Sequence, residues 1–198
     1  MQDRRLSLFL AAAAALSLSW AAQAPAAGPD AVMLVAKPGL RGPVFGSSII
    51  LVKPIGGNRH IGFIVNKPTR ATLGQLFPEH GPSKKVVDPL YLGGPQELNK
   101  VFALVERHDG GRGDSLQITQ DLFLAVQVDA VDSIIEKEAD HARFFIGLVT
   151  WAPGELDEEV ERGLWFKAEP ETRLMLRKNT EGLWDELERR EEARARTI

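Results

Sequence analysis

The polar groups best placed for ligand chemistry lie at the ends of two predicted strands. Asn66-Lys67-Pro68 follows the apolar run 61–65, so an amide and an ammonium group emerge at a sheet end, where ligand groups are common. Gly93-Gly94-Pro95 follows the run 89–92 and could present backbone amides to an anion. Structural alternatives stay open for both segments. Asn66 can cap its strand by bonding the backbone, and the two glycines can form a tight turn.

A tryptophan at a chain corner is the third candidate. Trp151-Ala152-Pro153-Gly154 joins an apolar run to an acidic segment, which is typical of a corner where the indole packs on the sheet and proline precedes a helix. A solvent-facing Trp151 would instead offer a binding platform. The candidates for binding a ligand or partner are therefore Asn66, Lys67, Gly93, Gly94 and Trp151.

Catalytic signatures are absent from the sequence. It contains no Gly-x-Ser-x-Gly elbow, no phosphate-binding glycine loop and no His-Glu-x-x-His. Ser47 or Ser48 could pair with a lysine such as Lys53 or Lys67, but no base or oxyanion hole can be named, and the serines more simply open a strand. The histidines lie far apart, without the spacing of metal ligands: His60, His80, His108 and His141. We predict no catalytic residue, no metal ion and no cofactor.

The elements that must position these residues are mainly strands. Short apolar runs between Gly, Asn and Pro turns predict strands at 32–36, 48–52, 61–65, 89–92, 101–105, 115–118, 122–126 and 144–149. Helices are predicted at 73–77 after Thr72, at 130–139 with Asp129 as N-cap, at 155–162 and from about residue 180. Because hairpin-type turns join most strands, the class expected is α+β with a mixed or mostly antiparallel sheet.

The N-terminus has the features of an export signal. Arg4 and Arg5 precede an apolar run, 6–20, that is too short for a comfortable transmembrane helix. Ala24-Pro25-Ala26 supplies small residues for cleavage, so residues 1–26 are predicted to be removed. A retained membrane anchor and a misassigned start stay open as alternatives. Cleavage predicts a periplasmic or secreted protein with no membrane attachment.

Composition and charge limit the partners of the mature chain. The chain is 44% apolar and 26% charged, as in an ordinary globular domain, and it contains no cysteine, which excludes disulfides and thiolate sites. The formal net charge is -3, and a surface of this sign has no general attraction for nucleic acid or anionic lipid. Interleaved charges predict a frayed tail over 188–198, which leaves 27–187 as the domain.

The order of several motifs resembles the YqgE/AlgH family, also called DUF179 or UPF0301. The positions that match are Phe45, Ser47, Gly62, Asn66, Lys67, Pro68, Gly93, Gly94, Pro95, Gly147, Trp151, Pro153, Gly154, Leu156 and Trp165. The resemblance implies a single compact domain around a bent or barrel-like sheet with flanking helices. The family's biochemical activity is undefined, and its members carry the label of transcriptional regulators. This chain departs from the pattern at Gly42, where the family usually has an acidic residue, and in its signal peptide, since members are regarded as cytosolic.

Export and negative charge argue against a DNA-binding role for this member. We expect a non-enzymatic periplasmic binding or accessory protein whose partner, a protein or a small molecule, is unknown, and we expect no nucleic acid partner. The alternative is a hydrolase-like enzyme with a site assembled from distant segments. A transcriptional regulator is the third possibility. A surface-exposed Trp151 beside Asn66 and Lys67, without a serine-histidine or carboxylate pair, would favour the binding protein. Two carboxylates or a serine-lysine pair within hydrogen-bond reach in one cleft would favour the enzyme.

Overall fold

The computed structural model describes residues 31–108 and 115–197. The predicted signal segment, 1–26, lies outside these ranges, and so does most of the glycine-rich turn before residue 115. Across the described part of the chain, no helix combines the length and apolar character needed to cross a bilayer.

The described residues form ten strands, five α-helices and two short 3-10 turns. The strands are β1 (Val32–Ala36), β2 (Ile49–Pro54), β3 (His60–Ile64), β4 (Pro68–Thr72), β5 (Pro89–Leu92), β6 (Gln96–Glu106), β7 (Ser115–Gln117), β8 (Leu122–Ala125), β9 (Ala142–Trp151) and β10 (Trp165–Ala168). The helices are α1 (Leu73–Leu76), α2 (Val128–Lys137), α3 (Glu155–Glu161), α4 (Thr172–Met175) and α5 (Leu183–Ala195). Short 3-10 turns occur at Pro82–Lys85 and Ala139–His141.

These strands form one curled sheet. Its order is β10-β1-β2-β3-β9-β6-β8-β7, and β4 and β5 pair with each other beside β9. The pairs are antiparallel except for β5 and β9, which run parallel. The sheet curls into a half-barrel with helices packed on it. The predicted α+β class, with a bent and mostly antiparallel sheet and flanking helices, is confirmed.

Strand β9 connects the two halves of this sheet. Its first part pairs with β6, from Ala142 to Ile146, and its last residues pair with β3, from Val149 to Trp151. Between them Gly147 has a φ of 71°, a left-handed conformation that glycine adopts without a Cβ clash. This bend allows a single strand to serve both halves, and it fixes where the chain leaves the sheet toward α3.

Helices α2 and α5 close the core on different sides. The buried face of α2 carries Ala130, Val131, Ile134 and Ile135, which pack on a cluster that includes side chains of β6 and β8. On α5, Leu183 and Leu187 are fully buried in the largest cluster. Both helices therefore follow the apolar spacing expected of an amphipathic helix on a sheet.

The ends of two elements differ from the sequence prediction. The N-cap of α2 is Gln127 rather than Asp129, which lies in the first turn, where its carboxylate favours the positive end of the helix dipole. Helix α5 continues to Ala195, whereas a frayed tail was expected from residue 188. Glu191 stabilises this extension, because its buried carboxylate accepts hydrogen bonds from Arg190 at 2.9 Å and Arg194 at 3.1 Å.

Candidate ligand-binding site

Asn66 and Lys67 both bind the backbone that leads into β2. The Asn66 side-chain oxygen accepts from the Ile49 amide at 2.9 Å, and its nitrogen donates to the Ser47 carbonyl at 2.9 Å. The Lys67 ammonium donates to the Gly46 carbonyl at 2.8 Å, and partial burial lowers the pKa of Lys67. Ser47 has a φ of 53°, so the two side chains fix a turn that a non-glycine residue rarely adopts. These contacts favour the structural interpretation of the segment.

Gly93 and Gly94 lie where the chain crosses β9. The Gly93 amide donates to the Ile146 carbonyl at 2.9 Å, and its carbonyl accepts from the Ile64 amide at 2.8 Å. A Cβ at Gly93 would lie 2.2 Å from the Gly147 oxygen, and one at Gly94 would lie 2.2 Å from the Leu148 carbonyl. Close backbone approach therefore accounts for both glycines, and the Gly93 amide already has a partner.

Trp151 packs on the sheet, as the corner interpretation predicted. The residue is 4% exposed, and its ring covers Gly62, where a Cβ would lie only 2.7 Å from a ring carbon. Its indole nitrogen donates to Glu159 Oε2 at 3.1 Å, and that of Trp165 donates to the same oxygen at 2.8 Å. One carboxylate of α3 thus holds two indoles in fixed orientations.

A cavity of about 200 Å³ lies beside these indoles. We call it the Trp-corner cavity, and its lining residues are Leu40, Phe45, Pro95, Gln96, Val149, Thr150, Trp151, Glu155, Glu159, Leu164 and Trp165. Three of these side chains are aromatic, and the two ionisable ones are both carboxylates. Because both indole hydrogen bonds fall on Oε2 of Glu159, its other oxygen can accept from a ligand. Aromatic rings beside carboxylates form a surface that attracts organic cations.

Of the five predicted binding residues, only Trp151 lines this cavity. Glu159 was not among the predicted site residues, although it lies in the acidic segment that follows Trp151-Ala152-Pro153-Gly154. A signal was available, since Glu159 follows Glu155 by one turn of the predicted helix. Nothing in the spacing indicated that Trp151 and Trp165 converge on it, because that contact depends on how α3 folds back between β9 and β10.

A second polar cluster forms around His80. Its Nδ1 lies 2.7 Å from the Ser83 hydroxyl, and its Nε2 lies 3.5 Å from a carboxylate oxygen of Asp132 on α2. Ser83, His80 and Asp132 thus lie in a row that resembles a serine-histidine-aspartate triad. Ser83 is fully buried, however, so its hydroxyl cannot reach a substrate. Ser48 is also fully buried and donates to the Phe45 carbonyl at 2.7 Å. Neither serine is positioned as a nucleophile.

Arg143 is a buried cation that the sequence analysis did not interpret. Its guanidinium lies over the Tyr91 ring, 4.2 Å from the centroid, and donates to the carbonyls of Val65, at 2.7 Å, and Arg177. Burial lowers the pKa of Arg143, while Tyr91 and Asp88 act in the opposite direction. These bonds attach the segment after α4 to β9, so we interpret Arg143 as a structural residue.

The fold and the cavity define the class of this protein: a one-domain α+β protein with a curled sheet and a small aromatic cavity. Residues 33–195 match the family model described as "DUF179: AlgH-like". The chain therefore belongs to the AlgH-like DUF179 family.

Relatives agree with this assignment. A UPF0301 protein of Methylococcus capsulatus is 30% identical over 157 residues, covering 77% of this chain and 86% of the relative. A UPF0301 protein of Cytophaga hutchinsonii is 28% identical over 155 residues, covering 77% of this chain and 84% of the relative. Among solved structures, the AlgH protein of Pseudomonas aeruginosa aligns with a TM-score of 0.66 at 17% identity, covering 83% of this chain and 89% of that protein. A Corynebacterium diphtheriae protein aligns with a TM-score of 0.67 at 23% sequence identity, covering 80% of this chain and 85% of that protein. At these identities, both structural matches concern the fold alone.

Proposed function

We propose that this protein is a non-enzymatic binding protein that acts in the periplasm through the Trp-corner cavity. The observation that carries the proposal is the lining of that cavity, where three aromatic rings meet two carboxylates. Glu159 holds the indoles of Trp151 and Trp165, so both rings are in place before a ligand arrives. A preformed site of this kind supports binding rather than a reaction, because its lining residues include no histidine or lysine that could activate the Thr150 hydroxyl.

The ligand class follows from the charge and size of the cavity. Phe45 and the two indoles border the cavity, and aromatic rings attract a positive charge, while Glu155 and Glu159 supply the opposite charge. A cavity of about 200 Å³ holds a small molecule rather than a peptide segment. We therefore propose a small organic cation, such as a quaternary or primary ammonium compound.

Choline is a suitable probe for this site. We expect it to change the tryptophan fluorescence of the protein saturably, since two indoles border the cavity. Its neutral isostere 3,3-dimethylbutan-1-ol should bind at least about tenfold more weakly, because it has the same shape without the charge. Glu159→Gln should weaken choline binding by a similar factor while keeping an oxygen that accepts from both indoles.

The matched control for that variant is Glu161→Gln. Glu161 lies on the same helix, is exposed and does not line the cavity, so its replacement removes the same charge elsewhere. Equal binding of choline and its isostere, or equal losses in the two glutamine variants, would contradict the proposed cation site.

The two other functional classes receive less support. A hydrolase would need an accessible nucleophile or two carboxylates within hydrogen-bond reach, and the Ser83 hydroxyl beside His80 is fully buried. Glu155 and Glu159 do share the Trp-corner cavity, but Glu155 accepts a hydrogen bond from the Ala152 amide and Glu159 accepts one from each indole. A transcriptional regulator would need a surface that attracts DNA, and the net charge is -3. Tight, sequence-dependent binding of a DNA duplex in a gel shift would favour the regulator instead.

Periplasmic residence is the second part of the proposal. Arg4 and Arg5 before an apolar run, with Ala24-Pro25-Ala26 after it, support cleavage by a signal peptidase. We expect mass spectrometry of fractionated cells to find the protein in the periplasm with Ala27 at its N-terminus. Protein recovered from the cytosol with Met1 intact would contradict export, and it would leave the cavity proposal to its own test.

A further inference from the structure

We propose that His80, Asp132 and Glu136 form a binding site for a divalent transition-metal ion, with Zn²⁺ as the best fit. One ligand atom from each of the three residues can be chosen so that all lie within 4.8 Å of one another. An imidazole nitrogen with two carboxylate oxygens is a donor set that suits Zn²⁺. No metal was predicted from the histidine spacing, because the other two ligands are carboxylates on α2.

The spacing of the donor atoms fits a shared ion better than a direct hydrogen bond. His80 Nε2 and Asp132 Oδ1 are 3.5 Å apart, beyond the usual range of a nitrogen-oxygen hydrogen bond. Two donors at about 2.1 Å from a tetrahedral Zn²⁺ ion lie about 3.4 Å from each other. The pair therefore already has the separation of two ligands on one ion.

The histidine ring is held from the side opposite the proposed ion. Its Nδ1 lies 2.7 Å from the hydroxyl of Ser83, which is fully buried, and the His80 amide donates to the Phe77 carbonyl at 3.0 Å. A hydroxyl can accept from an Nδ1 proton, which leaves the Nε2 lone pair free for a metal. Metal-bound histidines commonly have such a partner on the second nitrogen, because it fixes the tautomer and the ring plane.

The two carboxylates come from a helix that is anchored independently. Asp132 and Glu136 are one turn apart on α2, whose buried residues Ile134 and Ile135 fix it against the sheet. Two nearby negative charges repel each other, so a cation between them is favourable.

The site also has room for further ligands on a bound ion. His80 and Asp132 line a cavity of about 250 Å³, so water or a ligand can complete the coordination of an ion. Lys100 borders this cavity too, but its ammonium is 2.7 Å from Glu97. The cation nearest the cavity thus already has a carboxylate partner.

Zn²⁺ titration of the full mature chain tests the proposal. We expect one equivalent to bind in competition with a chromogenic chelator, and His80→Gln and Glu136→Gln each to weaken it by about tenfold or more. Glu136 is exposed, so its variant should fold even if the His80 variant does not. In an NMR spectrum, the His80 ring signals should shift on addition of Zn²⁺.

His108 offers a matched control. It also lies near two carboxylates, with Nδ1 at 3.5 Å from Asp121 and Nε2 at 3.9 Å from Glu106. These acids approach opposite ring nitrogens, so they cannot converge on one ion as the His80 set does. His108→Gln should leave Zn²⁺ affinity unchanged. Absence of binding, unchanged affinity in both the His80 and Glu136 variants, or an equal loss in the His108 variant would overturn the site.

Discussion

Trp151→Ala is expected to lower the free energy of unfolding by about 3 to 5 kcal/mol, the usual cost of removing a buried large aromatic side chain. The indole is 4% exposed and fills the space over Gly62, so its loss leaves a hole that neighbouring backbone cannot fill. The variant also removes one of the two donors to Glu159. Denaturant melts of the wild type and the variant measure the difference.

Val128→Ala is the control for this measurement. Val128 is also apolar, but it is 81% exposed at the start of α2, so its loss should change stability by less than about 0.5 kcal/mol. If Trp151→Ala unfolds at the same denaturant concentration as the wild type, the indole is not packed against the sheet. Trp151 would then be a better candidate for a solvent-facing binding platform.

Gly94→Ala is expected to destabilise the protein by about 3 kcal/mol or more, which is at the upper end for overpacking. A methyl group at this position would lie 2.2 Å from the carbonyl carbon and oxygen of Leu148 and 2.5 Å from the Val149 nitrogen. These are backbone atoms of β9, so they cannot move aside as a flexible side chain can. Thermal or denaturant melts again give the size of the loss.

Gly39→Ala separates this steric effect from the general effect of replacing glycine. A Cβ at Gly39 would meet no atom within 4 Å, so alanine there should be neutral or slightly stabilising. Equal free energies of unfolding for the two variants would show that the backbone of β9 leaves room for a methyl group at Gly94. Gly94 would then become available again as an anion-binding amide.

Most strands of the fold could be predicted because their side chains are continuously apolar. The runs at β1, β2 and β3 are buried on the sheet, and continuous burial leaves a clear signal in sequence. Strand β4 was missed because Pro68-Thr-Arg-Ala-Thr72 is polar and partly exposed, and it pairs on one side only, with β5. Edge strands of this kind carry little hydrophobic pattern.

The sheet order and the cavity were beyond sequence reasoning for a different reason. Both depend on contacts between residues far apart in the chain, such as Gly62 with Val149 and Tyr91 with Phe145. Local periodicity predicts which face of a strand is buried, but it does not identify the neighbouring strand. The same holds for His80 and Asp132, which reach one another only because α2 packs beside the turn at Pro82–Lys85.

The central place of β9 has a consequence for how the chain is made. Its partners β3, β5 and β6 all precede it in sequence, so they remain unpaired along one edge until residues 142–151 have been synthesised. Pairings of such long sequence separation form slowly, because much chain must be ordered before they contribute. A nascent chain of this protein therefore cannot complete its sheet early.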